Sequence, residues 1–467
     1  MRFANGVALV LLLVLGECMS IGCSDKSTEP EPPPPAIGMK HLWSKRFGDE
    51  SFQGTSAVAF DASGHVIVAG GYNGTVDFGG GPLSYGSAAI YVAKLGPDGT
   101  HIWSKSFGNA GSSSPRVAVD ASGNVIVAGG YIGTVDFGGG PLTCAKPAIF
   151  VAKLAPDGAH IWSKCFHDDN NLQAPWSSAV AVDAMGNVVV TGTFYGAIDF
   201  GGGSLACAGT GDVFVAKLGS DGTHIWSHKF GDDMYQVASS VVFDASGNVI
   251  VAGEFYGTID LGGGVLTCAG GLDVFVAKLG SDGTHVWSNA FGDGADQCLG
   301  AIATDVSSNV VVTGDFDGTI DFGGGVLTSA GNRDIFIAKF ESDGAHLWSR
   351  RFGDGASQFP WDVAIDASGN IIVNGNFDGT VDFGGGALTS AGDRDLFVAK
   401  LTPNANHIWS AAFYWVATYY ATISQVSVDA EGSAVLAGSF VGEVDFGGGP
   451  LVCAGYVDDI FVAKFGQ

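Results

Sequence analysis

Apolar residues in this chain come in runs of five to seven, cut off by glycine, aspartate or asparagine, and the same succession of runs returns seven times. In one copy the runs are Arg116 to Asp120, Asn124 to Gly129, Ala148 to Leu154 and His160 to Phe166. They are rich in valine, isoleucine and aromatic residues, and none carries sustained helical periodicity or a helix cap paired with a stop. Each is predicted to be a β-strand. Asp120-Ala121-Ser122-Gly123-Asn124 supplies a tight hairpin between the first two strands, and Asp157-Gly158 turns the third into the fourth. Between the second and third strands lies Gly133 to Leu142, which reads as a small extra hairpin on a glycine tip.

Seven tryptophans mark the period: Trp43, Trp103, Trp162, Trp226, Trp287, Trp348 and Trp409, spaced 60, 59, 64, 61, 61 and 61 residues apart. A fixed period of this kind decides architecture before local detail does. Four strands per unit, seven times over, predict an all-β fold: a seven-bladed β-propeller of four-stranded blades, each with an inserted hairpin, across residues 40–467. The phase of the repeat is informative. Leu42 to Phe47 is a fourth strand with no blade before it, and Ile460 to Phe465 is a third strand with no fourth after it. Pairing the two completes the seventh blade and removes both open edges. The alternative, an outer-membrane barrel, would need strands near ten residues with clean alternation. Runs such as Val249-Ile250-Val251-Ala252 are instead continuously apolar, as strands covered on both faces are.

Val119-Asp120-Ala121-Ser122-Gly123-Asn124-Val125-Ile126-Val127-Ala128-Gly129 and Asp212-Val213-Phe214-Val215-Ala216-Lys217-Leu218 carry a resemblance. They resemble the bacterial beta-propeller repeat family abbreviated SBBP, found in exported and surface proteins, over about residues 40–467. The resemblance implies a propeller and an extracytoplasmic setting. It implies no single activity.

Composition fits. Glycine contributes 74 of 467 residues and charged residues only 15%, which suits many short strands on tight turns. The net charge of −26 repels phosphate backbones and argues against a nucleic-acid partner. Residues 1–22 read as an export signal, with Arg2 followed by the short apolar core Val7 to Leu15. Ser20-Ile21-Gly22 then leads into Cys23 in the manner of a bacterial lipobox, although leucine is favoured where Ser20 stands. Cys18 is a poorer candidate for lipidation because Glu17 precedes it. Residues 23–39, with Glu29-Pro30-Glu31 and four consecutive prolines, read as an extended tether. The expectation is a monomer, lipid-anchored in the cell envelope or on the surface and otherwise secreted, touching membrane only through its anchor.

Most recurring polar residues are expected to serve the frame. The histidines opening the fourth strands, His41, His101, His160, His224, His285, His346 and His407, fall on the outermost strand of each blade, too dispersed to share an ion. Asp77, Asp136, Asp199, Asp260, Asp321, Asp382 and Asp445 precede a triple glycine and read as turn acceptors, with calcium as a lesser option. Lys94 and its six counterparts read as a repeated strand position, paired or snorkelling. Cys144, Cys207, Cys268 and Cys453 share a position held by Ser329 and Ser390 elsewhere and read as small buried side chains. Cys165 and Cys298 lie outside that position, no C-x-x-C spacing exists, and neither metal nor cofactor is expected.

Function is expected where the copies disagree. The loops linking a fourth strand to the next first strand contribute Phe52, Trp176, Tyr235, Phe359, Trp361, Tyr414, Trp415, Tyr419 and Tyr420, with Gln53, Gln236, Gln297 and Gln358 among them. Aromatic rings beside amides suit a glycan or an envelope or extracellular protein. The alternative is that the rings merely fill gaps between blades. An extracytoplasmic hydrolase or lyase would draw on His167-Asp168-Asp169, Glu254 and Asp315, but no nucleophile elbow or metalloprotease motif supports it. The remaining reading is a surface-display protein without a dedicated ligand.

Overall fold

Seven four-stranded antiparallel sheets stand around a common axis as a seven-bladed propeller in the computed structural model, which describes residues 39–108, 114–167, 176–392, 394–414 and 421–466. The expected signal, Cys23 and nearly all of the tether lie outside the described residues, as do Trp415, Tyr419, Tyr420, Asp168 and Asp169. Blade 1 spans residues 53–107, blade 2 116–167, blade 3 176–230, blade 4 236–291, blade 5 297–352 and blade 6 358–413. Blade 7 combines residues 421–466 with Lys40–Phe47. Its closing pair runs antiparallel with Phe47 opposite Ile460 and Trp43 opposite Lys464, as the phase of the repeat requires.

First strands of adjacent blades touch one another all the way round, so they are innermost and line the axis. Second and third strands are covered on both faces by neighbouring blades. That is why Val249–Phe255 and Asp273–Leu279 carry almost no exposed side chain. Each hydrophobic cluster accordingly bridges two blades, as where Ile90 and Val92 of blade 1 meet Val127 and Phe150 of blade 2. The inserted hairpin is a separate two-stranded sheet in blades 3 to 7, whereas in blades 1 and 2 it continues the second and third strands past a register shift. Its phenylalanine plugs the blade: Phe137 lies 4.8 Å from Phe107 and 5.0 Å from Phe150, ring centre to ring centre.

The recurring polar residues are consumed by this frame. Each of the seven hairpin aspartates accepts the N–H groups of the first and third glycines after it, as Asp260 does from Gly262 at 2.8 Å and Gly264 at 3.2 Å. Each repeated histidine bonds through Nε2 to the serine three residues on, at 3.0–3.2 Å. The imidazole lies flat over the middle glycine, and a Cβ on Gly263 would fall 2.2 Å from His285 Cε1. The triple glycine is therefore a seat for histidine, with no helix behind it to favour a phosphate. Gly263→Ala should force the His285 ring off Ser288 and cost about 1–2 kcal/mol, read as a lower denaturant midpoint at unchanged slope.

Behind the hairpin between first and second strands, each third-strand lysine meets the aspartate ending a first strand. Lys278–Asp244 is 2.7 Å and Lys94–Asp61 2.8 Å, all four side chains below 8% exposure. Against the opposing effect of burial, the lysine, the His65 ring and two backbone N–H groups hold Asp61 down to about 2. Six tryptophans reach the next blade, donating from Nε1 to a carbonyl in its third-to-fourth turn, such as Trp103 to Pro156 at 2.9 Å. Trp409 faces blade 7, where two chain segments replace that turn, and its Nε1 has no partner among the described residues.

Candidate functional site

The expected binding residues divide on inspection. Phe52, Tyr235 and Trp361 are exposed by 45%, 36% and 44%, while Phe359 and Tyr414 are partly buried. Trp361 is the extra residue of a bulge in the first strand of blade 6, and its Nε1 donates to Asn376 Oδ1 at 2.5 Å. Next to it, the Arg394 guanidinium lies 5.2 Å over the Phe359 ring. Tyr414 immediately follows the outer strand of the same blade, where burial raises its hydroxyl pKa. Phe359, Trp361 and Tyr414 thus belong to blade 6 and its exit loop, whereas Tyr235 opens blade 4, well round the ring. Trp176 begins the first strand of blade 3, but its side chain lies outside the described residues.

The four glutamines correct an expectation. Gln53, Gln236, Gln297 and Gln358 are wholly buried and unavailable to a ligand. Each donates from Nε2 to the aspartate opening its own loop, Gln53 to Asp49 and Gln236 to Asp232 both at 2.6 Å. The other oxygen of that aspartate accepts an N–H from the inserted hairpin, Asp232 from Thr258 at 2.7 Å. The glutamine recurs because it latches linking loop to hairpin, which pre-organises the face that carries the exposed rings.

Two further rings of variable residues lie on the inner strands. One follows the second strands: Gly71, Gly130, Thr193, Glu254, Asp315, Asn376 and Ser439 occupy equivalent positions. Glu254 accepts the Leu299 N–H of blade 5 at 2.7 Å, and Ser439 accepts that of Thr55 in blade 1 at 3.1 Å. Asp315 meets Arg333 at 3.1 Å, and Arg333 also reaches Cys298 Sγ at 3.1 Å, Asp317 at 3.5 Å and Asp296 at 3.7 Å. Burial, together with the Asp315 charge, pushes Glu254 up to about 7. Burial likewise pushes Asp315 up to about 7 against the pull of Arg333, and Cys298 up to about 12.

The second ring stands four residues before the lysine-paired aspartate that ends each first strand: Ala57, Arg116, Ala179, Ser240, Ala301, Asp362 and Gln425. Arg116, Ser240, Asp362 and Gln425 line an axial channel of about 420 Å³. Each ties blades together: Arg116 donates to Ser56 O at 2.7 Å, Asp362 accepts the Val426 N–H at 2.9 Å, and Gln425 accepts that of Val58 at 3.1 Å. Burial lifts Asp362 up to about 7, with Arg116 opposing from across the axis. Neither Arg333, Cys298 nor this channel ring was singled out from sequence. The signal was present as positions that vary inside strands whose other residues repeat.

Among the described residues the hydrolase constellation does not assemble. His167 ends the outer strand of blade 2, while Glu254 and Asp315 sit on second strands of blades 4 and 5. Carboxyl groups near 7 could move protons, but Asp315 is only 6% exposed and Glu254 already accepts a backbone N–H. Among the described residues, one group of three side chains could hold a metal ion: Cys144, Cys165 and His167.

No family model matches the chain. An uncharacterised WD repeat-containing protein of Acanthamoeba polyphaga mimivirus is 22% identical over 205 residues, covering 36% of this chain and only 14% of that relative. Among solved structures, an ulvan lyase with bound saccharide superimposes with TM-score 0.45 at 11% identity, covering 85% of this chain and 93% of its own. The WD40 domain of Pan2 from Neurospora crassa gives 0.42 at 11% identity, covering 88% of each. Likenesses this distant carry no activity over to the chain.

Proposed function

We propose that this chain is an extracytoplasmic interaction module, held at the envelope by a lipid on Cys23, whose linking-loop face takes a glycan or a protein. The observation that carries the reading is Trp361, a half-exposed indole fixed by Asn376 beside Phe359 and on the same blade as Tyr414. A ring already held in place loses little freedom when a sugar face or an apolar side chain stacks on it. The frame supports this by elimination, since the repeated histidines, aspartates and lysines are paired within it. The resemblance of the repeat to the bacterial surface-propeller family agrees with an exported binding role. Dispersal of His167, Glu254 and Asp315 over three blades favours binding over hydrolysis.

The full chain screened against glycan and envelope-protein panels should yield a ligand whose affinity falls at least about tenfold in Trp361→Ala, as loss of an aromatic anchor does. Phe52→Ala, on another blade, should have the smaller effect. A ligand bound equally well by the Trp361 variant would place the site elsewhere.

A further inference from the structure

Blade 2 departs from blades 3 to 7 at several positions that converge on one spot, two of which, Tyr131 and Ala148, it shares with Tyr72 and Ala89 of blade 1. His167 stands where blades 1, 3, 4, 5 and 7 carry Gly108, Gly231, Gly292, Gly353 and Gly48. Cys165 replaces a residue that is serine, basic or alanine elsewhere, namely Ser106, Lys229, Ala290, Arg351, Ala412 and Arg46. Ala148 pairs with His167 across the sheet, at the position where blades 3 to 7 bury Asp212, Asp273, Asp334, Asp395 and Asp459. Tyr131 replaces a phenylalanine of those same five blades. The carboxylate and its basic partner are gone, and sulfur and imidazole occupy the space.

The geometry is that of ligands gathered round a point. Cys144 Sγ lies 3.4 Å from Cys165 Sγ and 3.3 Å from His167 Nδ1, and the Tyr131 hydroxyl lies 3.0 Å from Cys144 Sγ. Bond lengths of about 2.3 Å to sulfur and 2.0–2.1 Å to nitrogen put tetrahedral ligand atoms roughly 3.8 Å and 3.5 Å apart. Both separations from Cys144 therefore stand within a few tenths of an ångström of zinc-ligand spacing, and all three ligand atoms lie within 4.8 Å of one another. A disulfide would use the two sulfurs and leave the imidazole and phenol without a reason to be there.

We propose that Cys144, Cys165 and His167 form a binding site for a borderline-to-soft d10 cation, zinc(II) in the first instance, with the Tyr131 hydroxyl supporting the thiolates. Two sulfurs and an imidazole suit such an ion and not calcium or magnesium. Cys144 is 2% exposed, Cys165 is partly buried and His167 is exposed, so the site is closed behind Cys144 and open to water at the imidazole. Both thiols must give up their protons to ligate the cation, so affinity should rise with pH. The site lies where the outer strand of blade 2 enters its linking loop, on a different blade from Trp361, and its test does not depend on the ligand-binding reading proposed above.

The test uses the full chain, isolated under reducing conditions, stripped with a chelator and titrated with zinc(II) against a chromophoric competitor. One ion per chain is expected, and cobalt(II) in its place should give a thiolate charge-transfer band. His167→Gly and Cys165→Ala introduce residues that other blades already carry, so the fold should survive both. Each should weaken zinc by more than about 100-fold, beyond the ten- to hundredfold loss expected of a supporting contact such as Tyr131→Phe. Cys207→Ser, matching Ser329 and Ser390, should bind as the parent does. Parent-like binding by the His167 and Cys165 variants overturns the proposal. So does a parent chain that takes up no zinc, or a Cys144–Cys165 disulfide found after thiol blocking at the moment of isolation.

Discussion

A chain that begins at Gly48, lacking the closing strand, is expected to lose the cooperative melting transition of the ring or to melt far below the parent. Removing Lys40–Phe47 strips the outer strand from blade 7 and with it Arg46, which reaches Asp459 at 2.6 Å. Asp459 is fully buried, and leaving such a carboxylate without its cation costs about 3–5 kcal/mol. Phe47 is 7% exposed and packs 4.8 Å from Phe78, so its loss adds about 3 kcal/mol more. Together these rival the whole stability of an ordinary domain, about 5–15 kcal/mol. A synthetic peptide of residues 40–47 added in trans should restore the transition in proportion to its concentration. A truncated chain that melts within a degree or two of the parent would show that the ring does not depend on this pair.

The second large effect is one of pH. Glu254 and Asp315 have folded pKa values of about 7, raised from ordinary values of 4.5 and 3.8. The folded chain therefore holds more protons than the unfolded chain between roughly pH 4 and 7, and stability falls as pH rises through that window. At roughly 1.4 kcal/mol per unit, Glu254 alone accounts for on the order of 3 kcal/mol. The lysine-paired aspartates that end the first strands act in the opposite direction. Asp61, Asp120, Asp244, Asp305 and Asp366 are lowered, so their contribution is present above the ordinary carboxylate range and is lost as pH falls through their folded values, about 2 for Asp61. Maximum stability should thus fall in mildly acidic solution. Glu254→Gln keeps an acceptor for the Leu299 N–H without the charge, and should raise stability at pH 8 while flattening the slope from 5 to 8. Unfolding free energies that fall equally with pH from 5 to 8 in parent and variant would refute this.

How much of this was legible beforehand depends on what repeats. Period, strand order and closure could be read because they are stated seven times, and the phase of Leu42 to Phe47 against Ile460 to Phe465 leaves one way to close the ring. The histidines, hairpin aspartates and lysines were correctly assigned to the frame for the same reason. The glutamines were misread. Standing among the loop aromatics they suit a ligand by residue type, but each side chain turns back to its own loop aspartate, as to Asp49 or Asp232. The clusters round Arg333 and His167 went unseen as units because their members sit on different strands, and only pairing brings them together. Cys144 faces Gly133 and Cys165 faces Phe150, so no spacing along the chain reveals that their sulfurs meet.

The closing strand also fixes an order of events. Arg46 and Asp459 are 413 residues apart, so the strand synthesised first is the last to find its neighbour. Until residues 459–466 exist, Lys40–Phe47 has no sheet to join and the growing array keeps open strand edges able to pair with other chains. Completion of the ring is therefore a late, long-range step, slow by the entropy of closing so large a loop. A chain halted before residues 459–466 would be left as an adhesive intermediate, so this one strand decides whether the whole ring is sealed.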